Sequence, residues 1–596
     1  MKKILGITFA MVLLGSMLGG TSVVASDYTI DVYENESIQA AIDGANPGDT
    51  IIVHTGTYNE NVTIGTGKDN ITLKAEGSVI LEGDHTLSHG IVVWGYPDPG
   101  PSGVVIKGFK IQNFIYYGIY ITNSCETVVQ DNNIVGCGSY FDPPSGGDPI
   151  PMGGGIRIEA SENTIIDNEI SNSIATGIGV NSNQMVSINS SGNLLQGNII
   201  NESGSHGILL FTGTHDNTVL ENYVSDSNND SIYLYQSKNN KVEGNNVSDG
   251  RTNGIAVYQG IHNYISRNTV TSSEYAGISL FSASANNIIR ANEITDNGGA
   301  GISLSSSDEN NISNNEIFAS AQDGIAVLCG SDFNNITGNN VHSNTNNGVY
   351  ISSSNGNRVR DNYISEVMQG INVFQSDSNS INNNSITGSQ SKGIVLHQSD
   401  DNTIQQNSID SQAMGISIVG NENTVKLNTV ESMYDGISIW LLPNEPPTPP
   451  LVSINNLIKR NSVSSELGVG VGVYSAYLNK VVLNTISNSF TGIAIRGRWI
   501  DKWEIPLYLP SYDNEVVQNS VLNCQTGIEV DIAQTNNIMK NSIVESGCFG
   551  IIALLEACNN IFDKNEVLDS GCIDIFEILP IDNIWLKNTY NTGIIE

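Results

Sequence analysis

One short pattern of apolar and polar positions repeats along the chain. A Gly-Ile step opens each unit, and the next apolar residues alternate with others, as in Gly277-Ile278-Ser279-Leu280. Alternation is the period of a strand with one buried face. Ile288 and Ile294 then mark two more short strands, with Asn286, Asn287 and Asn292 between them. From Gly207 the step recurs at Ser231, Gly254, Gly277, Gly301, Gly324, Gly348, Gly370, Gly393, Gly415 and Gly436, every 21 to 24 residues. Near-equal spacing over so many units defines a solenoid. Three short strands per unit, stacked in register, predict an all-β fold: one parallel β-helix of about 20 coils, on the order of 95 Å long. Asn tolerates left-handed backbone and bonds to its own turn, so it suits the bends. Asn263 and Asn268, Asn357 and Asn362, Asn402 and Asn407, and Asn559 and Asn565 occupy equivalent places. Stacked coil on coil, their amides can form hydrogen-bonded ladders.

Two segments near the start depart from this rhythm. Ile38, Ala41, Ile42 and Ala45 recur at helical spacing, and Asn46-Pro47-Gly48 ends them. They predict a short capping helix over 37–46 that covers the first sheet edge. Residues 1–25 read as a signal peptide: Lys2 and Lys3, an apolar run from Ile4 to Leu18, then small residues before a cut ahead of Ser26. The β-helix then spans 26–596 of a secreted or cell-surface protein, with no transmembrane anchor once the signal is removed. Ile584-Trp585-Leu586 reads as the last strand.

Composition narrows the function. Asparagine occurs 76 times, yet charged residues make up only 14% and hydrophobic ones 39%. That is too apolar for a disordered chain. Lys and Arg total 25 against 61 Asp and Glu, a formal charge of −36. No basic field exists to hold a nucleic-acid backbone. Seven cysteines without a Cys-x-x-Cys are no disulfide scaffold; small buried residues with one or two bridges at most fit better.

Ser37-Ile38-Gln39-Ala40-Ala41-Ile42-Asp43, then Pro47-Gly48-Asp49-Thr50-Ile51, then Gly56-Thr57-Tyr58-Asn59-Glu60-Asn61-Val62 resembles the opening of NosD-like right-handed β-helix proteins. The later repeats resemble the same group, also described as carbohydrate-binding and sugar-hydrolase (CASH) domains. The resemblance covers nearly the whole mature chain. It implies a right-handed coil and a spread of roles: a periplasmic factor in copper-centre maturation, archaeal cell-surface proteins, and relatives of polysaccharide lyases, hydrolases and epimerases.

Interruptions of the repeat point to function, because loops on a rigid scaffold commonly carry it. Insertions fall at about 95–102, 139–153, 441–451 and 496–512. Three of them follow the Gly-Ile strand directly, after Trp94, Trp440 and Ile495, so they should leave the rod near one edge. Arg496, Arg498, Trp499, Lys502, Trp503 and Tyr508 gather cations and aromatics in one loop. Aromatic faces stack on sugar rings, and cations pair with anionic sugars. Four residues past each repeat Gly stand Phe211, Tyr235, Tyr258, Phe281 and, later, Trp440. Alternation turns them outward as a stripe for an extended polysaccharide; a slip of one residue would turn them into core.

Tests for chemistry are mostly negative. No cluster of three or four acids on adjacent coils stands out, as a uronate-processing enzyme holding Ca²⁺ would need. With 61 acids, a glycosidase pair can be found anywhere. Asp400-Asp401 near His397 sits at an ordinary turn position. The eight His and nine Met are scattered, so no cofactor is expected and copper is not supported by the residues. The favoured expectation is an exported β-helix that binds polysaccharide or envelope glycan without catalysis. The alternatives are a structural envelope or NosD-like accessory protein, and a polysaccharide lyase, hydrolase or epimerase.

Overall fold

A coil of about 23 residues has too few side chains to enclose a core, so its apolar residues are buried only by neighbouring coils. The computed structural model describes residues 28–96, 98–141, 149–182, 190–441, 453–502, 505–554, 556–578 and 582–595, without the side chains of 498–508 and 594–595. The proposed signal peptide, and Trp503, therefore lie outside the described residues. Each coil has three short strands. In the coil opening at Gly277 they are Ile278–Phe281, Ile288–Arg290 and Glu293–Thr295. Each pairs in parallel with its counterparts in the coils before and after. There are about 23 turns, which at roughly 4.8 Å each gives a rod on the order of 110 Å.

The core is a column of aliphatic side chains. Ile278, Leu280, Ile289 and Ile294 have no exposed surface, and each contributes about 2 kcal/mol by burial. Ile288, by which the sequence marks the second strand, is instead 36% exposed. The reason is alternation: Asn287 points inward, so the residue two further on, Ile289, shares its side. The repeat glycine answers to space rather than to backbone angle. A Cβ on Gly277 would stand 2.4 Å from Ile294 Cγ2 and 2.8 Å from the Gly301 carbonyl oxygen. The same register corrects one repeat position. Ile437 pairs with Val471, so the glycine that follows Gly436 in the series is Gly470, although Gly472 also precedes an apolar residue.

The asparagines also need a correction. Asn287 and Asn292 do not make the left-handed bends; they are buried. The left-handed residue is the one before each, Asn286 (φ 57°) and Ala291 (φ 55°). In other coils Phe333, Leu427, Leu478 and Lys564 hold that conformation. The bend is therefore imposed on whatever side chain precedes the buried amide. Asn287 shows why. Its N–H and Nδ2 donate to Asn310 Oδ1 at 2.9 and 3.1 Å, and Nδ2 donates again to the Gly260 carbonyl at 2.9 Å. Its own Oδ1 accepts from Asn263 N and Nδ2. Two such ladders run without a break, from Asn163 to Asn583 and from Asn132 to Asn588.

Caps and insertions fit around this frame. The helix spans Ile38–Gly44, with Ser37 as N-cap and Ile38 and Ile42 buried. Glu60 accepts from the backbone of Ile38 and Gln39 and fixes its start. The 139–153 insertion is an antiparallel hairpin, Ser139–Phe141 with Ile150–Met152. The 496–512 insertion is another, Arg498–Lys502 with Ile505–Leu509. Ile584–Leu586 is a strand but not the last; Thr589–Tyr590 and Gly593–Ile595 follow.

Replacing Asn292 by Ala would strand the Asn268 N–H and Nδ2 and the Ile265 carbonyl, all now within 3.1 Å of its amide. The expected cost is about 3 kcal/mol, since each orphaned buried group costs roughly 1–3; a lower urea midpoint and faster exchange of the Asn268 amide would show it. The seven cysteines are free thiols, and the Cys548 and Cys572 sulfurs lie 3.0 Å apart on adjacent coils. Incubation with oxidised glutathione is expected to join them, yielding a 548–572 cross-linked peptide in a non-reducing digest.

Candidate functional site

The first strand of each coil presents one face of the rod to solvent. Three outward positions recur on it: the residue before the repeat Gly, the residue after the repeat Ile, and the residue that closes the strand. Stacking turns these into three columns. In the closing column Phe211, Tyr235, Tyr258 and Phe281 point outward, as alternation predicts, and all four are half-buried or exposed. Phe211 lies 4.8 Å from Tyr235, and Tyr235 4.9 Å from Tyr258, with planes 14° and 6° apart. That is offset stacking, so each ring covers part of the next ring's face like a roof tile. Phe281 ends the run edge-on, at 65° to Tyr258. A ligand meets ring rims and half-covered faces here. Much of the ring surface holds coil to coil instead.

Polar neighbours of this column are also tied down. Gln236 Nε2 donates to Gln259 Oε1 at 2.7 Å. Asp230 Oδ1 accepts from Thr252 and from the backbone and side chain of Asn253. His206 lies tilted against Tyr233, 4.8 Å between centroids, and its Nδ1 lies 3.1 Å from the Asp230 carbonyl. Burial lowers the His206 pKa and raises that of Tyr233. Asp400 is a turn ligand: its N–H donates to Asp377 Oδ1 and its Oδ1 accepts from the Asn421 N–H.

Towards the later coils the closing column carries Trp440, Tyr474, Arg496 and Asp531 in successive strands. The first three border a cleft of about 450 Å³ that Asp435, Met414 and Tyr434 also line. Trp440 stacks on Tyr474 at 4.1 Å and 28°. The Tyr474 hydroxyl donates to Asp435 Oδ2 at 2.9 Å. Burial, then Asp435, pushes its phenol pKa up. Arg496 donates through Nε and Nη2 to both oxygens of Glu529, at 2.6 and 2.7 Å. Burial alone would lower Arg496, but these bonds outweigh it and hold it raised. Burial and the nearby Glu529 raise Asp531. The structure thus places Trp440 and Arg496 on one cleft. Arg496, however, is an already paired cation and not a free one. The backbone puts Arg498, Trp499 and Lys502 on one strand of the adjoining hairpin and Tyr508 on the other. Sequence reasoning missed Tyr474, Asp435 and Glu529; starting the repeat at Gly470 would have put Tyr474 in the closing column.

A second cluster occupies the first coils of the same face. His89 lies 5.7 Å from Tyr117 and 5.4 Å from Tyr120, stacked on both, with Tyr116 tilted at 5.4 Å. Trp94 meets Tyr120 edge-on at 6.4 Å. The Tyr120 hydroxyl donates to Glu159 Oε2 at 3.0 Å, and Arg157 Nη2 to Glu159 Oε1 at 3.0 Å. Burial, then Glu159, pushes Tyr120 up to about 12, and burial lowers His89. Insertions stretch the repeat to 28 and 37 residues here, which hid this cluster from the spacing.

The model of the right-handed beta helix region family matches residues 50–222, 304–444 and 452–567. That of the periplasmic copper-binding protein NosD matches 180–323 and 224–369. No curated protein matches the chain. Among solved structures, the periplasmic alginate epimerase AlgG is similar at 13% identity and a TM-score of 0.33, over 59% of this chain and 84% of that one. The PL6 family alginate lyase AlyGC is similar at 11% and 0.34, over 95% and 100%. An alginate lyase from Paenibacillus sp. str. FPU-7 is similar at 15% and 0.26, over 54% and 96%. Among the described residues no three of His, Cys, Asp and Glu converge as a metal site.

The lowered histidines carry a pH dependence. The unfolded imidazole titrates near its ordinary 6.5, whereas His89 and His206 take up their protons lower in the fold. Below pH 6.5 the unfolded chain therefore binds more protons. Stability present above pH 6.5 is lost as pH falls through the lowered folded values. The thermal midpoint should drop from pH 7 to pH 5, and His89→Gln with His206→Gln should shrink that drop.

Proposed function

This chain belongs to the right-handed β-helix family, and we propose that it is an exported member that binds polysaccharide along its first-strand face. The observation that carries the reading is the Trp440–Tyr474 stack beside Asp435 in an open cleft. An aromatic surface next to fixed hydrogen-bonding groups is what a sugar ring asks for: C–H surface on one face, hydroxyls at the rim. The tiled column from Phe211 to Phe281 extends the same face over four more coils. The Lys2-to-Ala25 pattern supports export.

Binding without catalysis fits the state of the charged groups. Asp435 already accepts from Tyr474, Ser438 and the Val469 N–H. Glu529 is held by Arg496 at both oxygens. Groups so engaged order a ligand well and move protons poorly.

Affinity electrophoresis through gels containing cellulose derivatives, mannans, xylans, pectate or alginate tests the reading. The wild type is expected to be retarded by at least one of them. Trp440→Ala should weaken that retardation at least tenfold while its circular dichroism stays unchanged. Free migration of the wild type in every gel would sink the proposal.

A further inference from the structure

We infer that the cluster around His89 is a second saccharide-binding site, one that takes an uncharged sugar unit. The inference rests on the reading above, because both sites lie on one face, but its observations are separate. His89 is ringed by Tyr116, Tyr117 and Tyr120, and its Nδ1 is buried with no hydrogen-bond partner. A buried polar atom left unpaired in a native fold asks for an explanation, because it costs free energy until something bonds to it. Once the exposed Tyr116 ring turns aside to admit it, a ligand hydroxyl satisfies it in either tautomer, as donor or as acceptor. Trp94 and Tyr116, each 41% exposed, supply apolar surface at the rim.

The charge pattern selects the ligand. Glu159 takes hydrogen bonds from both Arg157 and Tyr120, and Arg157 also lies 5.9 Å from the centre of the Tyr117 ring. The Arg157–Glu159 pair is neutral as a unit. A uronate carboxylate would have to break it, on a chain whose formal charge is −36. Hydroxyl groups need break nothing. Two insertions flank the cluster. The insertion after Trp94 leaves one edge of the face, and the hairpin of Ser139–Phe141 and Ile150–Met152 leaves the other.

Fourteen strand-to-strand steps separate Trp94 from Trp440 along the face, about 67 Å at roughly 4.8 Å per step. A hexasaccharide is too short to reach from one site to the other. A long polysaccharide lying along the rod occupies both, and the second contact gains from the effective concentration set by the first.

Isothermal titration with cellohexaose, mannohexaose, xylohexaose and hexaguluronate tests this on the full chain. A neutral hexasaccharide is expected to bind at two per wild-type chain and at one in either Trp94→Ala or Trp440→Ala. Trp94 is a rim residue, and an unchanged melting curve confirms that its variant folds; His89→Asn provides a second disruption. The matching long polysaccharide should bind the wild type at least tenfold more tightly than either variant. One site per wild-type chain, lost in Trp440→Ala and intact in Trp94→Ala, overturns the second site and leaves the Trp440 reading standing. Hexaguluronate binding that Trp94→Ala removes overturns the uncharged ligand. No titratable site for any of the four sugars overturns both readings.

Discussion

Two columns of asparagine amides hold this rod in register. The amides sit inside the coil; that of Asn287 gives two hydrogens and receives two, and so leaves none of its own polar atoms unpaired at that corner. An aliphatic core alone would let coils slide or rotate, because burial has no direction. The amide does have direction. Its Oδ1 accepts both the backbone and the side chain of the rung before it, which fixes where each bend falls. The left-handed residue ahead of each amide is a consequence, and that explains why Phe, Leu, Ala and Lys all occupy it.

Much of this was legible in the sequence. The Gly-Ile step and the alternation after it marked three strands per coil and the outward phase of Tyr235 and Tyr258, and the helical spacing of Ile38, Ala41 and Ile42 marked the helix at Ile38–Gly44. The less legible parts have physical reasons. Asn is enriched both in bends and in buried ladders, and composition cannot tell these apart; only the burial of Asn287 beside left-handed Asn286 does. Ile288 and Ile289 are the same residue type, so the sequence alone could not say which faces in. Contacts across coils were hidden most of all. Tyr474, Asp435 and Trp440 meet because their coils stack, although Asp435 and Tyr474 are 39 positions apart in sequence. His89, Tyr120 and Glu159 meet in the same way, across insertions that break the count.

The two end clusters share a chemistry although, tryptophans apart, their residues occupy different columns. Each combines a tryptophan, a tyrosine hydroxyl bonded to a carboxylate, and an arginine bonded to a glutamate. In both, pairing removes the net charge of the arginine while fixing its position. Half-buried ion pairs of this kind contribute little to stability by themselves. Their effect is to hold neighbouring rings and hydroxyls in one arrangement.

The unbroken ladders make the rod a gauge with fixed graduations. Whatever length a loop has, the chain must come back onto the next rung: the span from Asn428 to Asn461 closes the same contact as the shorter one from Asn407 to Asn428. Distances along the face therefore change only in whole steps of about 4.8 Å, by gain or loss of a complete coil. Loop length varies without altering that scale, so features at the edges are free to diverge while their separation stays calibrated.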